Sequence, residues 1–214
     1  MSGIALIDYG SGNLRSAEKA LARAAHESAS ASPILVTAYP EDVLKAERIV
    51  LPGVGAFADC MRGLSAIPGM VSALSERVRD QGAPFLGICV GMQLLAEVGH
   101  EFGDHAGLGW IAGDVTKLHH SDAALKIPHM GWNGLRLQRD HPLFRGILDG
   151  AHVYFVHSYA MRVRRAEDVV ALTDYGGDFV SAVARDNVAG VQFHPEKSQA
   201  VGLQVLSNFL AWKP

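Results

Sequence analysis

The sequence predicts an α/β fold: a mostly parallel central sheet flanked by helices, with a strand-rich second half. Three observations carry this. Short apolar runs in the first half end in Gly-rich or polar turns and hand over to helically spaced apolar residues. Those runs do not alternate strictly, as expected of parallel strands buried on both faces. After about Gly107 the apolar segments shorten and follow one another with turns between them.

Ile4–Ile7 is the first predicted strand, and Leu14, Ala17, Leu21 and Ala24 mark the helix after it. Ile34–Val36 and Arg48–Leu51 follow, the latter closed by Pro52-Gly53-Val54-Gly55, and Met70, Leu74 and Val78 then share a helical face. Pro84–Ile88 is the fourth strand. It leads into a helix expected over Val90–Val98, with Leu94, Leu95 and Val98 toward the core. Strands are expected beyond it at Val115–Leu118, Leu135–Leu137, Val153–Tyr159, Val169–Leu172, Phe179–Ala184 and Val188–Phe193. Arg185-Asp186-Asn187, between the last two, is a hairpin-sized connection. A helix around Val201–Trp212 closes the chain. No repeat, low-complexity linker or composition break divides it, so residues 1–214 read as one domain.

Hydrophobic residues make up 49% and charged residues 19% of the 214, an ordinary balance for a soluble globular protein. A net charge of −3, with no basic run longer than Arg164-Arg165, argues against a nucleic-acid partner. The only two cysteines, Cys60 and Cys89, make no disulfide framework, and a reducing cytoplasmic setting is expected. The N-terminus lacks the basic region of a signal peptide, and no apolar run reaches the roughly 20 residues of a membrane helix.

Gly87-Ile88-Cys89-Val90-Gly91 follows an apolar strand and opens a helix, the strand–turn–helix setting of a nucleophile elbow with Cys in place of Ser. Glycines on either side of Cys89 let strand and helix approach without Cβ clashes. A helix N-terminus favours thiolate over thiol, and the Val90 N–H is available to a developing oxyanion. The competing reading is a buried cysteine packed as a small hydrophobe.

A nucleophilic Cys needs a base and a group to orient that base. Val191-Gln192-Phe193-His194-Pro195-Glu196-Lys197-Ser198 supplies both, because residues two apart in an extended segment point the same way. Glu196 then holds one imidazole nitrogen of His194 while the other faces Cys89. The Pro52–Gly55 turn, ending another strand, offers the Val54 N–H as a second oxyanion donor.

Other features carry less. Gly10-Ser11-Gly12-Asn13-Leu14-Arg15 begins like a dinucleotide fingerprint, but Arg15 stands at the third glycine position. No Walker-type loop or zinc-ligand spacing occurs, His119-His120 reads as surface or packing, and Cys60 lies in a predicted helix as a structural residue. No metal or organic cofactor is expected.

The order of these segments resembles the class I (triad-type) glutamine amidotransferases: oxyanion strand, Gly-x-Cys-x-Gly elbow, then His-Pro-Glu near the C-terminus. Within that family the chain is most similar to the glutaminase subunits of imidazole glycerol phosphate synthases. That likeness rests on Asp8-Tyr-Gly-Ser-Gly-Asn13, Pro52–Gly55, Pro128-His-Met-Gly-Trp-Asn133 and His194-Pro-Glu-Lys-Ser198. It implies a glutaminase with a Cys89–His194–Glu196 triad, Val54 and Val90 at the oxyanion hole, and Gly55, Gln93, Ser158 and Tyr159 around the substrate, with His157 beside them. It also implies a heterodimer with a synthase (cyclase) subunit, with Asn13, Arg15, Trp132, Asn133 and Lys197 near the interface. The partner activates the glutaminase and receives its ammonia. Three alternatives remain open at this stage. One is the glutaminase of another pathway, such as anthranilate or aminodeoxychorismate synthesis. The others are a free-standing cysteine hydrolase and a non-catalytic subunit on the same scaffold.

Overall fold

The computed structural model describes residues 3–10, 13–27, 32–120, 122 and 125–214. Ser11 and Gly12 of the fingerprint-like turn lie outside them. The first half supplies β1 (Ile4–Ile7), α1 (Leu14–Glu27), β2 (Ile34–Thr37), α2 (Pro40–Lys45), β3 (Arg48–Gly53) and α3 (Phe57–Ala66). It continues with α4 (Met70–Leu74), extended by a π-helical turn over Ser75–Asp80, then β4 (Phe85–Cys89) and α5 (Val90–Gln93). The second half supplies β5 (Val98–Gly99), β6 (His105–Ala106), β7 (Gly113–Lys117), β8 (His129–Gly134) and β9 (Arg136–Leu137). After them come β10 (His152–His157), β11 (Tyr159–Val163), β12 (Val169–Asp174), β13 (Asp178–Arg185), β14 (Val188–Val191) and α6 (Gln199–Ala211).

The central sheet has eight strands in the order β2-β1-β3-β4-β14-β13-β12-β9. Its pairings are parallel from β2 through β14 and antiparallel beyond. β1, β4 and β14 are buried along their whole length, which explains why their sequences do not alternate. α1 and α6 pack together, and Met70, Leu74 and Val78 all point into the core as their spacing predicts.

The return of β14 to pair with β4 fixes the site. Gly53 stands opposite Cys89, and Val191 opposite Ile88, so the next residue after β14, Gln192, emerges beside Cys89. Three carboxyl strand ends therefore meet at one place, where open α/β sheets hold their ligands.

Two expected elements differ. The helix over Val90–Val98 stops after Gln93, and Val98 is in a strand. The loop from Gly107 to Ile111 captures the carbonyls of Leu94, Leu95, Ala96 and Glu97, which a longer helix would have used itself. The strand over Val153–Tyr159 divides at Ser158 into β10, paired with β8, and β11, in a four-stranded sheet ordered β11-β7-β5-β6. Its burial phase shifts there: Val153, Phe155 and His157 are inward, then Ala160 and Met161. Among the described residues no helix is long and apolar enough to cross a membrane.

Candidate active site

Cys89 ends β4 and precedes α5 with φ 55° and ψ −112°, a strained backbone for a non-glycine residue. The flanking glycines are required by close approach. A Cβ on Gly91 would lie 1.9 Å from the Leu51 carbonyl oxygen, and one on Gly87 would lie 2.5 Å from the Gly91 oxygen. The elbow is as the sequence predicts, but α5 is a single turn. A single turn does not carry the dipole of a long helix.

His194 is buried beyond β14, and its Nδ1 lies 2.8 Å from Glu196 Oε1. The pair does not sit on an extended strand as expected: Pro195–Lys197 is a 3₁₀ turn that begins after His194. Ser198 pins the turn by donating its hydroxyl to the His194 carbonyl (2.7 Å) while accepting from the Tyr154 N–H (3.0 Å). Nε2 of His194 is buried without a conventional hydrogen bond among the described residues. Burial opposes charge on this ring, yet the neighbouring Cys89 and the Glu196 carboxylate outweigh it and raise His194 to about 9.

A pocket of about 260 Å³ opens on these groups. Cys89, His194, Val54, Gly55, Val90, Gln93, Ser158 and Tyr159 all line it, so the structure gathers the nucleophile, base, oxyanion and substrate residues named from sequence. The Pro52–Gly55 turn is held from two sides: the Tyr9 hydroxyl donates to the Pro52 carbonyl (2.6 Å) and the Cys60 thiol to the Val54 carbonyl (3.3 Å). Cys60 is thus structural, and what it supports is this turn.

Sequence reasoning missed several residues. Glu101 lines the pocket and accepts the Phe57 N–H at the start of α3 (2.8 Å). Gln192 is fully buried, and its Nε2 lies 3.7 Å from Cys89 Sγ. His129 backs the pocket wall, its Nδ1 3.2 Å from Nε2 of His157. The only signal for Gln192 was its place two residues before His194; His129 gave none of its own.

One backbone carbonyl orders these groups. Tyr159 O only accepts, so His157 Nδ1, at 2.9 Å, carries a hydrogen, and so does the Gln93 amide nitrogen, also at 2.9 Å. Neutral His157 then accepts at Nε2, so His129 donates from Nδ1 and its own Nε2 accepts from Asn133 at 3.4 Å. Burial holds both rings neutral, His157 near 3 and His129 near 4. On the other branch, the second hydrogen of Gln93 Nε2 goes to Gln192 Oε1 (3.0 Å), which turns the Gln192 nitrogen toward the sulfur.

The residues suggested for a partner face divide. Trp132 is exposed and packs at a steep angle against the Tyr154 ring, and the Lys197 ammonium lies 5.7 Å from the Tyr154 ring centre. Asn133 turns inward instead, to His129 and to the Asp174 carbonyl at 2.9 Å. Asn13 and Arg15 are exposed at the start of α1, which packs against the Pro195–Lys197 turn. Among the described residues no cluster of His, Cys, Asp and Glu is placed to hold a metal ion.

Comparison with known proteins gives a consistent result. Residues 5–212 match the model of the glutamine amidotransferase class-I family. The chain is 59% identical to imidazole glycerol phosphate synthase subunit HisH of Brucella suis biovar 1 (strain 1330), covering 99% of each. It is 60% identical to the subunit of the same name from Caulobacter vibrioides, covering all of both. Among solved structures it is similar to a glutamine amidotransferase at TM-score 0.71 and 20% identity, covering 98% of this chain and 99% of that one. A glutamine amidotransferase from Thermotoga maritima aligns at TM-score 0.60 and 17% identity, covering 91% and 76%.

Proposed function

We infer the reaction from family and geometry together: the chain belongs to the class-I glutamine amidotransferase family, and it hydrolyses glutamine to glutamate and ammonia. It is the glutaminase subunit of imidazole glycerol phosphate synthase, in histidine biosynthesis. The carrying observation for the chemistry is one pocket in which Cys89, on a positive-φ elbow, meets a His194 held by Glu196 at 2.8 Å.

In the mechanism we propose, His194 takes the thiol proton of Cys89 and the sulfur attacks the carboxamide carbon of glutamine. The tetrahedral intermediate collapses by breaking the C–N bond, and His194 passes its proton to the leaving nitrogen, which departs as ammonia. Water, deprotonated by His194, then attacks the glutamyl thioester; the thiolate leaves and glutamate forms. Glu196 fixes the ring through Nδ1 and stabilises the imidazolium, consistent with a value near 9. N–H groups of Val54 and Val90 serve both oxyanions, each worth about 10²–10³ in rate. Gly55, Gln93, Ser158 and Tyr159 seat the substrate. Both amide hydrogens of Gln93 are committed, so its Oε1 is the atom that receives a substrate N–H.

As a synthase subunit the chain has a partner subunit. We propose a cytoplasmic heterodimer of this single domain with the cyclase subunit, seated over the Trp132–Tyr154–Lys197 face with Asn13 and Arg15 at its margin. Asn133 supports that face from inside. The deciding experiment is glutamate release from glutamine, measured with and without the synthase subunit and its nucleotide substrate. A steep rise on adding both is expected. No response overturns the coupling, and undiminished turnover by Cys89→Ala overturns the catalytic assignment itself.

A further inference from the structure

Gln192 has no part in the triad, yet its amide nitrogen lies 3.7 Å from the nucleophilic sulfur. Its backbone is fixed by the N–H bond to the Ser181 carbonyl (2.9 Å), and its side chain is fully buried. The amide orientation follows from the acceptor-only Tyr159 carbonyl: Gln93 must present nitrogen to it and to Gln192 Oε1, which leaves Gln192 Nε2 for Cys89 Sγ at 3.7 Å. A buried amide held this way cannot rotate to offer oxygen to the sulfur without breaking the bond from Gln93.

We propose that Gln192 is a further catalytic residue, whose amide N–H stabilises the Cys89 thiolate, and that Gln93 and the Tyr159 carbonyl are its positioning groups. The proposal rests on Cys89 being the nucleophile. A hydrogen bond to sulfur strengthens when the sulfur carries full negative charge, before attack and again when the thioester intermediate expels it. A thioester sulfur is a poorer acceptor, so the bond aids regeneration of the thiolate as well as its formation. The gain is moderate, because a better-stabilised thiolate is also a weaker nucleophile.

Gln192→Glu keeps the shape and the acceptor for Gln93 but sets an oxygen against the sulfur; Gln192→Met removes the donor with little change in volume. The test is the rate of iodoacetamide alkylation at neutral pH, with Cys89 distinguished from Cys60 by peptide mass, together with kcat and KM for glutamine in the synthase complex. Both variants are expected to alkylate Cys89 about five- to tenfold more slowly, Glu the slower, with kcat falling in parallel and KM unchanged. A merely structural role would lower thermal stability and leave the alkylation rate of folded protein alone. If either variant does not fold, Gln192→Asn, which retracts the amide by one methylene, replaces it. Alkylation and kcat within twofold of the parent overturn the proposal, provided the parent complex hydrolyses glutamine. If the parent does not, the glutaminase reading fails instead.

Discussion

His194 and His157 line the same pocket and are both buried, yet one is raised to about 9 and the other lowered to about 3. Desolvation opposes the charged form at both. What differs is the company. His194 faces a carboxylate and a sulfur. His157 gives its hydrogen to a backbone carbonyl, leans on neutral His129 and packs against the Phe179 ring at 4.8 Å. Burial lowers both rings, and it decides the direction unless charged neighbours outweigh it, as they do at His194. In the proposed mechanism one ring holds a moving proton, while the other is a wall with a fixed tautomer.

The sharpest way to break this contrast is to remove each ring's chemistry in turn. His194→Gln is expected to lower kcat by about 10³-fold, because base and acid roles both vanish. His157→Gln keeps an amide near the carbonyl and should cost far less. Glutaminase assays of the two complexes give the comparison, and equal losses would refute it.

A smaller effect tests the cause of the raised value. Glu196→Gln keeps a hydrogen-bonding group near Nδ1 but removes its charge, and kcat should fall about 10²-fold, the low end of acid–base contributions, because His194 itself stays in place. The alkaline limb of the pH–rate profile, governed by a group near 9, should move toward lower pH. A limb that stays in place would assign the raised value to the sulfur alone.

Next comes the wall. His129→Phe keeps the ring contacts with Tyr175 (4.0 Å) and Phe155 (4.9 Å) but leaves His157 Nε2 without its donor. The expected result is a KM for glutamine about fivefold higher with kcat nearly unchanged. His129→Asn, which can place an N–H near the lost Nδ1, should recover part of it. A fall in kcat without change in KM would put His129 on the chemical side of the comparison.

The sequence disclosed one side of this contrast far better than the other. Cys89, His194 and Glu196 were legible because each requirement is local: glycines at fixed offsets around an elbow, and a base two residues from its carboxylate. The parallel half of the sheet was legible for a similar reason, since strands buried on both faces write continuous apolar runs. The wall could not be read. His129 and His157 are far apart in sequence and meet only because β8 pairs with β10, and β8 itself, with Gly131 and Gly134, carries no strand pattern. Gln192 needs the β14–β4 register to reach the sulfur. The helix after Cys89 was overextended because a loop more than ten residues away takes its carbonyls.

The smallest effect is on stability, and there the two kinds of histidine act at opposite ends of the pH scale. His194 is raised above its usual 6.5, so its protonation contributes stability that is full below pH 6.5 and lost as pH rises through about 9. His157, His129 and His141 are lowered by burial to about 3, 4 and 4, His141 with help from the Arg139 charge. Their contribution is full above pH 6.5 and lost as pH falls toward those values, because the unfolded chain takes up protons that the fold refuses. Each steepens the loss on the acid side, the partly exposed His141 less than the buried His157 and His129. Urea unfolding midpoints between about pH 4.5 and 9.5 should therefore fall away on both sides of a maximum near pH 6.5. His129→Phe should make the acid side shallower by about one histidine and leave the alkaline side alone, while His194→Gln should flatten the alkaline side and, because the His194 charge also helps to lower His157, change the acid side only slightly. If His129→Phe altered the alkaline limb, or His194→Gln altered the acid limb as much as the alkaline one, the division between proton carrier and wall would not hold.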